Sequence, residues 1–278
     1  MAVTAGRGAP GDRRRARPVA LTIAGSDSSG GAGIVADLKT FEALGVWGTV
    51  AIVAVTAQNT MGTQAITVLA PELVEAQIAS VAGDLGVDAA KTGMLGNAAM
   101  VAAVAGAVRA TGIRRLVVDP VLLSTLGEVL LAPDALDVLR AELLPLATVV
   151  TPNLAEAAAL WGHPVRDRHD MVAAAAAIAA AGPVVLLKGG HLLDEAGSPD
   201  LLWSDGEARW LEGPRVEAHH THGTGCVLSA AITAELARGR TPTQAAVTAK
   251  RFVTQAIEAG VELGAGPGPV DPGWSRTP

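Results

Sequence analysis

Short runs rich in Val, Leu and Ala, each broken by Gly, Asp, Asn or Pro, alternate along this chain with Ala-rich stretches whose apolar residues recur at helical spacing. This alternation is the strongest constraint on the fold. Consecutive strands joined through helices pair in parallel, and the helices then cover both faces of the sheet. The apolar runs fall at residues 19–24, 49–56, 89–91, 115–118, 148–150 and 184–187. Helical spacing is read at 34–44, 71–81, up to 110 in an Ala-rich stretch, 134–143, 154–161, 170–181, 226–238 and 242–259. Gly45 supplies a usual helix stop and Pro71 a usual helix start. Residues 201–203 and 209–211 are expected to form a hairpin around Asp205-Gly206. The fold class is therefore α/β with a mostly parallel sheet. No linker or fixed-period repeat divides the chain, so one domain is the economical reading.

A chain of 278 residues suits one large α/β domain, and with 50% apolar and 17% charged residues it buries a sizeable core. A formal net charge of −6 gives no electrostatic footprint for nucleic acid. The exception is local: Arg13-Arg14-Arg15-Ala16-Arg17 ends a Gly/Pro/Ala/Arg leader, residues 1–17, expected to be disordered. That run is either a solvated tail or an arm for an anionic partner. Cys226 stands alone, which rules out an intrachain disulfide and fits a reducing cytoplasm. No uninterrupted apolar run approaches the ~20 residues needed to span a bilayer. Residues 18–25 are too short for a signal-peptide core. A cytoplasmic protein without membrane or nucleic-acid partners is expected.

Ligands of open α/β sheets bind beyond the carboxyl ends of the strands. Here those ends read Gly25-Ser26-Asp27, Gln58-Asn59, Asp119-Pro120, Pro152-Asn153 and Lys188-Gly189-Gly190-His191. Any one of these could be a helix cap or a turn. Together, along one sheet edge, they can build one polar pocket.

The sharpest motif is Thr221-His222-Gly223-Thr224-Gly225-Cys226, which opens a helix directly. Its glycines let successive N–H groups converge, and the helix N-terminus adds unsatisfied amides and partial positive charge. That makes an anion hole suited to phosphate. The sequence is neither a Walker A loop nor a dinucleotide fingerprint. At such a position Cys226 is expected to have a lowered pKa and to serve as a base or acceptor. Neighbouring His219, His220 and His222 leave a thiol nucleophile or a zinc site as alternatives, without further ligands to complete them.

These motifs, in this order, resemble the hydroxymethylpyrimidine/phosphomethylpyrimidine kinases. The likeness rests on Ala24-Gly25-Ser26-Asp27-Ser28-Ser29-Gly30-Gly31-Ala32-Gly33-Ile34, Ala36-Asp37-Leu38-Lys39-Thr40-Phe41, Ala57-Gln58-Asn59-Thr60, Lys91-Thr92-Gly93-Met94-Leu95, Asp119-Pro120-Val121, Thr151-Pro152-Asn153-Leu154-Ala155-Glu156-Ala157, Leu187-Lys188-Gly189-Gly190-His191 and the Thr221–Cys226 motif. It covers residues 18–270, leaving 271–278 as a tail. The resemblance implies a ribokinase-like three-layer α/β/α fold, a homodimer, and transfer of the γ-phosphoryl group of ATP, with Mg2+, to hydroxymethylpyrimidine and then to its monophosphate in thiamine biosynthesis.

Carried over residue by residue, the resemblance assigns Gln58 to the aminopyrimidine edge, and Gly25, Ala32 and Met94 to the ring pocket. Asp37 and Cys226 would approach the substrate hydroxymethyl group. The amides of Gly223, Thr224, Gly225 and Cys226 would hold the transferring phosphoryl group. Asn153, Glu156 and Lys188 would serve ATP and the metal, with Asp119 on the same nucleotide–metal side. Gln58 suits its task chemically, since an amide offers both a donor and an acceptor. Leu126 departs from the family pattern, which has a small polar residue there, and bears on the nucleotide loop. The rival readings are a pyridoxal/pyridoxine kinase and a pyrimidine-binding protein without catalysis. Residues 120–130 and 190–200 are the candidates for a closing loop.

Overall fold

The computed structural model describes residues 17–123, 130–132, 134–190, 192 and 197–275. The leader up to residue 16, Leu126 with its loop 124–129, and residues 191 and 193–196 of the 190–200 segment lie outside the described residues.

The expected strands form one 8-stranded sheet. Its members are β1 (Val19–Ala24), β2 (Trp47–Ile52), β5 (Ala89–Thr92), β6 (Leu116–Val118), β7 (Val149–Val150), β8 (Val184–Leu187), β9 (Asp200–Ser204) and β10 (Glu207–Leu211). Across the sheet the order is β10-β9-β8-β7-β6-β5-β1-β2. From β2 to β8 neighbouring strands run parallel, while β9 pairs antiparallel with β8 and β10. The β9–β10 turn is at Asp205-Gly206, where both residues take positive φ, as a tight hairpin requires.

Alternation along the strands sorts the core into two layers. Leu21, Ile23, Leu116, Val118, Val185 and Leu187 face one layer. It is built by α2 (Pro71–Asp84), α3 (Ala98–Thr111), α4 (Ala135–Val138) with the turns that follow it, α5 (Leu154–Trp161) and α6 (Arg168–Ala179). Ala20, Val117 and Leu186 face the other, built by α1 (Gly33–Ala43), α7 (Thr224–Ala237) and α8 (Pro242–Glu258). The 134–143 stretch, expected as one α-helix, is α4 followed by a π-helical turn, Leu139–Leu143, and a 3-10 turn, Leu144–Leu146. Pro145 lies in that last turn, and its ring leaves no N–H to continue an α-helical ladder.

The reading of the second strand also changes. The 49–56 run is not one strand. The chain leaves β2 at Ile52 and re-enters extended structure as β3 (Ala54–Asn59), which pairs antiparallel with β4 (Gly62–Val68) in a separate 2-stranded sheet. Gln58 and Asn59, expected in a loop, are strand residues of this hairpin. Nor does packing stop at residue 270, because Trp274 lies on Phe252 of α8 with ring centroids 5.9 Å apart. Among the described residues, no helix is long and apolar enough to cross a membrane.

Connections from β1 run outward to β2, whereas those from β5 run the opposite way to β6. The carboxyl ends of β1 and β5 therefore flank the point where strand order reverses, the place at which open α/β sheets bind ligands.

Candidate active site

On the β1 side, the chain turns through residues 25–32 into α1. Gly33 has φ +56, and a Cβ there would run into the Gly25 carbonyl, which accepts from Ile34 N at 3.0 Å. The Met94 methyl group lies over Gly25, 2.7 Å from where a Cβ would be. Met94, Gly25 and the loop bearing Ala32 are thus brought together. The β3–β4 hairpin is fastened to the same loop. Ser26 N donates to the Ala54 carbonyl at 2.8 Å and Thr56 N to Ser26 Oγ at 2.9 Å. Gln58 N donates to Ser28 Oγ at 2.7 Å, while Ser28 Oγ donates to the Gln58 carbonyl at 2.9 Å. The Gln58 backbone is fixed in this way, and its side-chain amide makes no hydrogen bond among the described residues.

The second glycine loop enters α7. Gly223 is its N-cap, in the left-handed region at φ 82, and no side chain caps the helix. The first-turn amides of Gly225 and Cys226 consequently have no intrahelical acceptor. A Cβ on Gly225 would lie 3.5 Å from Lys188 Nζ and 3.8 Å from Asp119 Oδ2. The anion loop therefore abuts the charged residues at the ends of β6 and β8.

Those residues form a buried network. Asp119 Oδ1 accepts from Thr151 Oγ1 at 3.1 Å and from Lys188 Nζ at 3.3 Å, while Oδ2 accepts from Ser229 Oγ at 3.1 Å. Glu156 Oε2 lies 3.7 Å from the same ammonium. Burial works against charge on Lys188, but Asp119 and Glu156 together hold its pKa above the ordinary lysine value. Burial, with the Asp119 charge adding to it, pushes the Glu156 carboxyl upward against the pull of Lys188. Asn153 and Glu156 also have a structural task. They form the capping box of α5, with Glu156 N donating to Asn153 Oδ1 at 2.9 Å and Asn153 N to Glu156 Oε2 at 2.7 Å.

Asp37 and Cys226 have neighbours that their motifs do not reveal. Asp37 is 0% exposed and pairs with Lys91 Nζ at 2.7 Å, where Lys91 too is 0% exposed. Thr22 Oγ1 donates to the other Asp37 oxygen at 2.6 Å. Asp37 is thus part of a buried ion pair. Burial opposes charge on Lys91, but the adjacent Asp37 carboxylate keeps it protonated. Cys226 sits as foreseen in the first turn of α7, and the Gly33 amide at the start of α1 supports its sulfur. Even so, desolvation, reinforced by Asp37 and Asp119, pushes its thiol up to about 11. Two helix N-termini do not produce a thiolate here, because the sulfur is withdrawn from water and faces two carboxylates.

The histidines do not assemble a metal site with Cys226. His222 Nε2 bonds Asp27 Oδ2 at 2.9 Å, and His220 Nδ1 accepts from Gly268 N at 3.0 Å. Among the described residues the side chains grouped closely enough to hold a metal ion are Asp167, His169 and Asp170 at the start of α6, where Asp167 caps the helix and Asp170 pairs with Arg166. Sequence reading assigned no role to Asp27, Lys91, Thr151 or Ser229. Ser229 carried a usable signal, since it lies one turn beyond Cys226 on the same helix face.

With this geometry in view, the chain can be compared with known proteins. A family model described as phosphomethylpyrimidine kinase matches residues 27–271. The hydroxymethylpyrimidine/phosphomethylpyrimidine kinase of Streptomyces coelicolor is 51% identical over 259 residues, 93% of this chain and 95% of that one. Among solved structures, phosphomethylpyrimidine kinase from Clostridium difficile is similar at TM-score 0.77 and 39% identity, covering 87% of this chain and 100% of the other. Pyridoxal kinase from Staphylococcus aureus in complex with AMP-PCP and pyridoxal is similar at TM-score 0.85 and 39% identity, covering 93% and 94%. The three-layer ribokinase-like architecture expected from the sequence is the one observed.

The geometry makes two predictions. Asp37→Ala strands a buried ammonium and should cost about 3–5 kcal/mol in urea unfolding, whereas the joint change Asp37→Leu with Lys91→Met should recover most of it; a loss below about 1 kcal/mol for Asp37→Ala would show the pair to be dispensable. Burial pushes the Cys226 thiol up to about 11, so its alkylation by iodoacetamide, followed by mass spectrometry, should reach half its maximal rate well above the about pH 8.5 of a free thiol. A plateau at or below that pH would show a thiolate-stabilising site instead.

Proposed function

This chain belongs to the phosphomethylpyrimidine kinase family, and on that footing we propose that it transfers the γ-phosphoryl group of ATP to the hydroxymethyl oxygen of 4-amino-5-hydroxymethyl-2-methylpyrimidine, and then a second one to the resulting monophosphate. The observation that carries this reading is the meeting of Gly225 with Lys188 and Asp119. It joins the first-turn amides of α7 to a half-buried cation held by Asp119 and Glu156. Phosphoryl transfer passes through a loose transition state whose charge is spread over the phosphoryl oxygens, so it needs positioning and charge neutralisation more than a strong base.

The parts divide by location. Gln58 offers its unpaired amide to the aminopyrimidine edge, while Gly25, Ala32 and Met94 bound the ring. The amides of Gly223, Thr224, Gly225 and Cys226 receive the transferring group, and Lys188 neutralises the nucleotide phosphates. In the step itself the bond between the γ-phosphorus and the β–γ bridging oxygen breaks, a bond to the substrate oxygen forms, and the hydroxyl proton leaves to solvent or a phosphate oxygen. Cys226, protonated at neutral pH, lines this position as a donor and spacer rather than as a base.

A magnesium ion fits the acidic side chains available. Asp119 and Glu156 are both within salt-bridge distance of Lys188, and magnesium is usually held by one or two carboxylates together with phosphates and water. Bound there, it would supply charge neutralisation on the phosphates. The lone Cys226 accords with a cytoplasmic site of action.

The likeness to a pyridoxal kinase at TM-score 0.85 makes pyridoxal the rival acceptor. ADP release with magnesium-ATP should be measured with the pyrimidine alcohol, its monophosphate and pyridoxal in separate reactions. Turnover on both pyrimidines is expected. Turnover on pyridoxal alone would replace the substrate, and none on any would remove the kinase reading. In the same assay Gln58→Ala should raise the pyrimidine KM about tenfold, or ~1.4 kcal/mol, with the ATP KM little changed.

A homodimer is also proposed, supported by the apolar surface on β2–β4, where Trp47 is 54%, Val55 51%, Met61 63% and Ile66 47% exposed. Sedimentation velocity should return twice the chain mass; a monomer at micromolar concentration would exclude it.

A further inference from the structure

The two glycine loops of the site lie against each other. Gly31 of the first has no room for a Cβ, which would come 2.5 Å from the His222 ring, and a Cβ on Gly223 of the second would strike the Gly31 carbonyl. One side-chain bond spans this seam, from His222 Nε2 to Asp27 Oδ2 at 2.9 Å, across 195 residues of sequence. Both ends are built for it. Asp27 is 2% exposed, and each of its oxygens is used twice. Oδ1 accepts from Ser29 N at 2.8 Å and Ser29 Oγ at 2.7 Å, and Oδ2 accepts from Ala32 N at 2.8 Å and from His222. Burial alone would raise this carboxyl, but the bonds from His222 and Ser29 hold it at about 2, so it remains an acceptor throughout. His222 is anchored on its own side, with His222 N donating to the Gly268 carbonyl at 3.1 Å and its carbonyl accepting from Val270 N at 3.1 Å.

A single carboxylate therefore shapes the loop that carries Ala32 and, through His222, fixes the residue immediately before Gly223. Two loops placed independently would need only to be near each other. A saturated buried carboxylate bonded across the seam specifies their relative position, and a misplacement of about 1 Å between reacting groups can cost on the order of 100-fold in rate.

We propose that Asp27 and His222 are a positioning pair that registers the phosphoryl-holding loop against the acceptor-side loop, so that transfer depends on their bond although neither side chain touches a substrate. The proposal rests on the kinase reading for its consequence in rate, but not for the bond itself, and its test separates the two.

His222→Ala, His222→Gln, Asp27→Asn and the double variant Asp27→Asn/His222→Ala should be compared with the native chain. Hydrogen exchange of the ligand-free protein reads the seam without turnover. Amides of residues 28–33 and 223–226 should exchange faster in His222→Ala and Asp27→Asn, with β1 and β5 unchanged. Steady-state kinetics reads the consequence. For His222→Ala and Asp27→Asn, kcat should fall by about 10–100-fold while both KM values stay within about threefold. The double variant should be no slower than the worse single one, since both remove the same bond. His222→Gln, which keeps a donor near the Nε2 position, should recover most of the rate.

Unchanged exchange in both single variants would overturn the pair as a loop register, whatever the native enzyme turns over. Faster exchange with native kcat would overturn its role in transfer. A His222→Gln variant as slow as His222→Ala, or additive losses in the double variant, would assign His222 a different task. If His222→Ala fails to fold, Asp27→Asn and His222→Gln carry the same comparison. Native turnover on none of the acceptors would remove the kinase reading while leaving the exchange result to judge the bond.

Discussion

Lys91 carries a charge into a layer of the molecule that water does not reach, and much of the site is arranged around that fact. Its ammonium is 0% exposed and bonded to Asp37 at 2.7 Å, with Thr22 satisfying the remaining carboxylate oxygen. A buried pair of this kind is tolerable only when both partners are held in place and their remaining bonds are met. Meeting that requirement fixes α1, which bears Asp37, against β1 and β5, which bear Thr22 and Lys91. The same three elements meet at the strand-order reversal. The charge that could destabilise the core instead locates the helix whose N-terminus faces the sulfur of Cys226.

A second buried network, around Asp119, plays the matching part at the ends of β6, β7 and β8. It draws Thr151 from the end of β7, Lys188 from the end of β8 and Ser229 from α7 onto one carboxylate. Elements distant in sequence are thereby brought together at the mouth of the anion loop. Polar side chains in a parallel sheet's core are expensive unless each finds partners. Here Thr151 and Lys188 come from successive strand ends and Ser229 from the helix that crosses them.

The strand–helix alternation made the main sheet and its two covering layers legible, because period-two and period-3.6 burial is written locally in the sequence. The strand-end motifs made the location of the site legible for the same reason. What could not be read was partnership. Asp37 lies in a motif that suggests substrate contact, and only the fold reveals that Lys91, from a different motif, claims it. Cys226 occupies a helix start that ordinarily lowers a thiol pKa, yet desolvation and two carboxylates reverse the sign, and neither is visible along the chain. Asp27 and His222 each appear within quoted motifs, but no local rule links residues 195 positions apart. The split of 49–56 into β2 and β3 was missed because both halves are apolar and β-prone; what separates them is a change of pairing partner, not of composition.

That split separates two layers of design. Gln58 rides on a hairpin with no strand pairing to the main sheet, fastened to the body mainly through hydrogen bonds to Ser26 and Ser28. Lys188, Asp119 and the anion loop belong instead to the deeply packed body. Substitutions on the hairpin can alter which acceptor is recognised while leaving the buried charge networks untouched, whereas a change in those networks disturbs fold and chemistry together. Under the proposed roles, recognition therefore sits where substitution disturbs the packed body least, and transfer where it disturbs it most.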